Sequence, residues 1–179
     1  MTISIHQPNF VAWFPFFQKI QQADVFCIMR HCQFEKNNYQ NRFFTDKWNT
    51  MRVSKKTESI YEKKYLTPQE DWHKIVTNNP KLNCFNGLIK ESVCNTNSLI
   101  IMRACEMLGI NTNIVYDTPT ELTGTKRLIH ICKKVGANTY LSGISGSKYL
   151  DLNEFENEGI KVIYQDEATM IKKPLVDLI

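Results

Sequence analysis

The chain has 179 residues and carries 22 Lys and Arg against 18 Asp and Glu, a formal charge of +4. That length suits one compact domain, and 42% hydrophobic with 22% charged residues can bury a core, which excludes a wholly disordered chain. No run of roughly 18–20 apolar residues offers a membrane span, Met1 to His6 lacks the regions of a secretory leader, and six cysteines without a CxxC pair point to a reduced, cytoplasmic setting in which most are small buried apolar residues.

In chain order, Ile3-Ser4-Ile5 alternates apolar and polar and runs into His6-Gln7-Pro8-Asn9, a short strand followed by a proline-restricted loop. Pro15 suits a first helical turn, with Phe16, Phe17, Ile20 and Ala23 at helical spacing. Val25 to Met29 is a continuous apolar run, as in a strand covered on both faces. Residues 1–29 therefore read as strand, loop, helix, strand, a crossover unit. Between 30 and 65 the chain is polar and aromatic, with strand pieces at Phe43-Phe44 and Trp48 to Val53. Thr67-Pro68 opens a helix that Asn79-Pro80 breaks, and a second helix covers 97–108 up to Gly109. Thr112 to Tyr116 reads as a strand. Thr123-Gly124 starts an amphipathic helix with Leu128, Ile131, Cys132 and Val135 inward and Gly136 as terminator. Thr139 to Leu141 is a strand, Ser142 to Ser147 a loop, Asp151 the cap of a short helix ended by Gly159, and Ile160 to Tyr164 a last strand. The pattern predicts an α/β fold: a single three-layer domain over 1–179 with a mainly parallel sheet and Rossmann-like crossovers, carrying a basic polar and aromatic insertion around 30–66.

Charge is uneven. Residues 1–90 hold 13 basic and 7 acidic side chains, a net of +6, while 91–179 hold 9 and 11, a net of −2. A basic half suits a phosphate-bearing partner. The stretch from Arg52 to Lys64 reads either as a solvated lysine-rich loop or as an arm touching a nucleic-acid backbone.

Ligands of such sheets lie outside the carboxyl ends of the strands. Three polar segments take that position: His6, Gln7 and Asn9 with Trp13; Arg30 and His31 extending to Asn41 and Arg42; and Ser142 to Lys148. The third is the phosphate candidate, since Gly143 and Gly146 permit close backbone approach, Ser142 and Ser147 can donate, and Lys148 adds charge, with Tyr149 following. It has neither the Walker nor the GxGxxG spacing, and an ordinary surface turn would hold the same residues. Lys126 and Arg127 at a helix start offer a second anion site. His6 and His31 are candidate proton acceptors, the alternative being structural or exposed histidines. Trp13, Phe34, Tyr39 and Trp48 set aromatic surfaces among cations, which suits base stacking, although aromatics commonly serve core packing. A metal site from His6, His31 and Cys32 has no supporting spacing. No resident cofactor and no metal site is predicted, and a divalent ion is left open.

Several blocks carry a resemblance. Ile5-His6-Gln7-Pro8-Asn9-Phe10 through Trp13, Phe17 and Ala23-Asp24-Val25-Phe26, then Gln33-Phe34-Glu35-Lys36 and Gln40-Asn41-Arg42, resemble the N-terminal signature of the WbqC-like proteins. So do Arg127-Leu128-Ile129, Gly136-Ala137, Tyr140-Leu141-Ser142-Gly143, Tyr149-Leu150-Asp151, Phe155, Gly159-Ile160 and the closing Pro174 to Ile179, which resembles that family's last helix. Two departures stand out: Arg30-His31 where the family usually carries an acidic pair, and a shorter segment between Ile160 and Pro174.

The resemblance implies action on nucleotide-linked amino sugars in polysaccharide synthesis, or, through phage relatives, transfer of an amino acid to DNA. The leading expectation is a transferase that joins an amino acid, through its amine, to a pyrophosphate-activated pyrimidine in DNA. In it His6 or His31 accepts the amine proton, and Ser142 to Lys148 with Arg127 holds the pyrophosphate. Arg30 and Arg42 meet the DNA backbone or the amino acid carboxylate, and Trp13 or Tyr39 stacks on a displaced base. The alternatives are a transferase acting on a sugar nucleotide and a non-catalytic nucleotide- or nucleic-acid-binding module. Expected partners are DNA or a nucleotide-linked substrate and a free amino acid, with no membrane.

Overall fold

The computed structural model describes residues 1–179. Its strands and helices are β1 (Thr2–His6), α1 (Phe14–Gln21), β2 (Val25–Ile28), β3 (Arg42–Phe44), β4 (Trp48–Thr50), α2 (Pro68–Asn78), α3 (Val93–Met107), β5 (Asn113–Tyr116), α4 (Gly124–Val135), β6 (Thr139–Ser142), α5 (Leu152–Asn157) and β7 (Lys161–Tyr164). No helix is long and apolar enough to cross a membrane. The chain divides into two compact units: one of residues 1–6, 15–29 and 111–171, the other of 7–14, 30–110 and 172–179.

The first unit is built on a five-stranded sheet in the order β5-β2-β1-β6-β7, every neighbouring pair parallel. The fold is α/β, as the alternation of elements predicts. Numbered by their appearance within this sheet, the strands run 3-2-1-4-5, the order of one doubly wound class. The pleat splits the side chains between two helical layers. Ile3, Ile5, Val25, Cys27 and Tyr140 meet Leu128, Ile131 and Cys132 of α4 and Phe155 of α5 in one buried core. The opposite face meets α1, where Phe16 packs edge-on against Phe26 at 5.5 Å. All four residues of β2 are buried, which its unbroken apolar run requires.

Local chemistry sets the boundaries. Gly136, at φ 72°, ends α4 in the left-handed conformation, and its N–H donates to the Lys133 carbonyl at 3.0 Å. The Asp151 carboxylate accepts from the N–H groups of Asn153 and Glu154 at 3.0 and 3.2 Å and so starts α5.

The second unit carries α2, α3 and the antiparallel pair β3–β4. Helix α3 begins at Val93, four residues ahead of the predicted start, because the Ser92 hydroxyl caps it by accepting from Asn95 N–H at 3.2 Å. Thr67 precedes α2 without a side-chain cap. Instead Asp71, in the first turn, accepts from the Arg52 backbone N–H and Nε, both at 2.8 Å. Burial alone would raise the Asp71 carboxyl, but these Arg52 contacts hold it below the usual carboxylate range. The closing segment, which resembles the family's last helix, forms a single 3-10 turn, Leu175–Asp177. Of the six cysteines, Cys27, Cys94, Cys105 and Cys132 are buried and none is in a disulfide.

Candidate functional site

All five strands of the first unit are parallel, so their carboxyl ends lie on one sheet edge, and the chain's progression reverses between the adjacent strands β1 and β6. His6 ends β1 and Ser142 ends β6. Within the pleat the two point to opposite faces. Ser4, two residues before His6, pairs with Leu141, while Ser142 follows the Tyr140 face. The half-buried His6 ring stands edge-on to Phe16 of α1 at 5.1 Å, and its carbonyl accepts from Met29 N–H at 2.8 Å. The buried Ser4 hydroxyl donates to the Leu141 carbonyl at 3.1 Å and ties β1 to β6 beneath the edge.

Ser142 is buried, and its hydroxyl donates to the Gly143 carbonyl at 3.0 Å. Its own carbonyl accepts from Gln165 N–H at 3.0 Å. Gln165, buried just past β7, donates through Nε2 to the Pro15 carbonyl at 2.9 Å and links the end of β7 to the start of α1. Residues Ile144–Lys148 make a 3-10 turn. Gly146 sits on the serine: a Cβ there would lie 2.0 Å from Ser142 Oγ and 3.1 Å from Leu150 Cδ1. Close packing is thus a sufficient reason for glycine at 146. At Gly143 a Cβ would meet only Gln165 Oε1 at 3.8 Å. Ser147 donates to the Ile144 carbonyl at 2.9 Å, while Lys148 and Tyr149 are exposed. Burial, with Tyr149 nearby, pushes the Tyr140 phenol well up. Tyr164 ends β7 with its hydroxyl buried and unpartnered.

Lys126 and Arg127, adjacent in the first turn of α4, diverge. Arg127 turns inward and donates to the Asp117 carboxylate at 2.6 Å, and Asp117, just past β5, anchors its own N–H on the Ile28 carbonyl at 3.3 Å. Lys126 instead lines a cavity of about 400 Å³ between α4 and α5, with His130, Lys133 and Glu154. The positive end of α4 therefore offers one outward-facing cation, while the second is engaged by a carboxylate.

The remaining predicted residues belong to the second unit. Gln7 accepts from Gln40 Nε2, Asn9 is buried, and the Pro8 carbonyl accepts from Asn97 Nδ2 at 2.8 Å. Asn97, fully buried in α3, also donates to the Gln40 carbonyl at 2.7 Å and accepts from the Tyr65 hydroxyl at 2.9 Å. Trp13 is exposed two residues beyond Val11, whose φ of 43° is strained for a β-branched side chain. Arg30 and His31 both approach Tyr61, the guanidinium 5.1 Å and the imidazole 4.7 Å from its ring. Asn41 is buried and latched to Met51: its Nδ2 donates to the Met51 carbonyl and its own carbonyl accepts from the Met51 N–H, each at 2.8 Å. Arg42 donates to the Asn37 carbonyl and lies 4.1 Å over the Trp48 ring.

Sequence reasoning missed Asp117, Gln165, Gln40 and Asn97. The first two carry the signal that marked His6 and Ser142, a polar residue at or just past the end of an apolar strand. The other two lie inside runs without such a boundary.

The model of the WbqC-like protein family matches residues 7–172. An uncharacterized protein of Mycobacterium tuberculosis, Rv1507c, is 25% identical over an alignment 188 positions long, covering 92% of this chain and 81% of that protein. No solved structure gives a significant match. The chain belongs to the WbqC-like protein family.

Proposed function

We propose that the chain is a transferase working at the carboxyl edge of its parallel sheet, and that it attaches an amino acid to a pyrophosphate-activated pyrimidine in DNA. The observation that carries this reading is the reversal of strand order between β1 and β6, which sets His6 and the Ser142–Lys148 segment on neighbouring strand ends. In the step, the amino acid nitrogen attacks the carbon that bears the pyrophosphate. A C–N bond forms, the C–O bond breaks, and pyrophosphate departs with the electron pair. The His6 imidazole accepts the proton released from the amine, a role worth roughly 10²–10⁴ in rate. Lys148, exposed on the 3-10 turn, balances charge on the leaving group.

The test incubates the protein with an oligonucleotide bearing a pyrophosphate-activated pyrimidine and single amino acids, then analyses nucleosides by mass spectrometry. An adduct with one amino acid, lost in His6→Gln, is the expected result. No adduct with any amino acid overturns the DNA reading, and transfer to a nucleotide-linked amino sugar under the same conditions replaces it with the glycan reading. Full activity in His6→Ala removes the assigned base, and loss of activity in His31→Ala instead moves that role to His31.

A further inference from the structure

The β3–β4 hairpin pairs Arg42 with Thr50, Phe43 with Asn49 and Phe44 with Trp48. Alternation gives it two unlike faces. Phe43 and Asn49 are buried, with Phe43 packed 5.7 Å from Phe10. On the other face Phe44 and Trp48 are 50% and 44% exposed, and Tyr39 beside them is 49% exposed. The three rings touch: Trp48 lies 5.8 Å from Tyr39 and 5.4 Å from Phe44. Packing within this unit does not use that surface, since the buried side of the hairpin already supplies its anchor.

The stretch of chain that carries these rings is mostly cationic. From Glu35 to Glu58 there are six cations (Lys36, Arg42, Lys47, Arg52, Lys55 and Lys56) and three anions (Glu35, Asp46 and Glu58), a net of +3. Arg52 is engaged by Asp71 and Glu70. Asp46 accepts from the Thr45 hydroxyl at 2.9 Å. Arg42 lies over Trp48 with one bond to the Asn37 carbonyl, so its charge is held against the aromatic surface rather than neutralised by a carboxylate. Contiguous exposed rings with the Arg42 guanidinium laid over one of them, on a segment of net positive charge, match the two needs of a single strand, faces for its bases and charge for its phosphates. An uncharged glycan would use the rings and leave the cations idle.

We propose that this outer face, Tyr39, Phe44 and Trp48 with Arg42, is a base-stacking platform for a single-stranded nucleic acid. The inference goes beyond the transfer chemistry, since it concerns a binding surface in the other unit. It shares with that chemistry only a nucleic-acid partner, and its test reads binding with no transfer step.

The experiment titrates the full chain into fluorescently labelled oligo-dT and oligo-U of about 12 nucleotides, a duplex of the same length and a neutral oligosaccharide, at two salt concentrations. Saturable binding to single strands that weakens steeply with salt is expected, with the duplex weaker. Trp48→Ala is expected to weaken single-strand binding about 5- to 100-fold, with partial recovery in Trp48→Phe. Tyr39→Ala is the second probe, and circular dichroism melts establish that both variants fold. Preference between dT and U tells DNA from RNA, and either supports the platform. Unchanged affinity in folded Trp48→Ala and Tyr39→Ala overturns it, as does absence of saturable binding to both strands or tighter binding of the oligosaccharide. If the platform binds and no adduct forms, the transfer reading fails alone; the converse result removes only the platform.

Discussion

The Arg127 guanidinium donates to the Asp117 carboxylate at 2.6 Å, with the two side chains only 8% and 1% exposed. This pair joins the residue just past β5 to the first turn of α4, so it sets where that helix starts over the sheet edge. Removing one partner takes the opposite charge away from a group that stays buried. Asp117→Asn is expected to cost roughly 3–5 kcal/mol, read as a lower urea midpoint at unchanged slope. Asp117→Leu combined with Arg127→Met should recover most of that loss, because two apolar groups need no mutual compensation.

Lys19 of α1 is 4% exposed, and burial brings its amine down from 10.5 to about 7. The folded state therefore binds fewer protons than the unfolded state between those two values, so this group makes stability rise with pH across that window. Below about pH 7 the whole penalty of burying the charged amine applies. Between the two values it is relieved by at most about 1.4 kcal/mol for each step of one in pH. Lys19→Met is expected to raise stability at neutral pH and to flatten the rise between about pH 7 and 10.5. Chemical denaturation at about pH 6, 7.5 and 9 in both proteins measures it, and parallel pH curves would refute the assignment.

Gly146 offers a steric prediction. Alanine there would put its methyl 2.0 Å from Ser142 Oγ and 3.2 Å from Ser142 Cβ. Gly146→Ala is expected to destabilise by about 1–3 kcal/mol through overpacking. Adding Ser142→Gly should return part of the loss, with the Leu150 contact accounting for the remainder. Thermal melts of the single and double variants test the coupling.

Asn97 serves the Pro8 and Gln40 carbonyls and the Tyr65 hydroxyl from the middle of α3. Asn97→Leu leaves these buried groups short of partners, at roughly 1–3 kcal/mol each. A severe loss of stability is expected in urea unfolding. Tyr65→Phe, which takes the donor from the Asn97 Oδ1 acceptor alone, should cost less in total, roughly 1–3 kcal/mol.

The parallel α/β plan was legible because its signals are periodic and local. The apolar run at Val25, the alternation at Ile3 and the helical spacing before Gly136 each name an element without help from distant chain. Contacts across sequence were not legible. Nothing in the types at 117 and 127 says that they pair, and Arg127 at a helix start reads equally well as an anion ligand. Lys19 sits within a good helical pattern, yet lysine is seldom buried and no sequence rule marks this one. Gly146 shows the same ambiguity, since glycine suits both a ligand loop and a close crossing, and only the folded packing reveals the Ser142 hydroxyl beneath it. The exposed aromatics of the β3–β4 hairpin were visible as residue types among cations, whereas their assembly on one face depends on the register.

The central pairing of the sheet joins β1 to β6, and the Ser4 hydroxyl bonds a carbonyl 137 residues further along. At ribosomal rates of roughly 5–20 residues per second, β1 waits about 7–27 seconds for its inner neighbour to be synthesised. Through that interval a strand destined for the middle of the sheet has one side unmatched, so nascent chains are most exposed to mispairing before residue 142 leaves the exit tunnel. Slowing translation beyond α4 should lengthen that vulnerable period and raise the aggregated fraction.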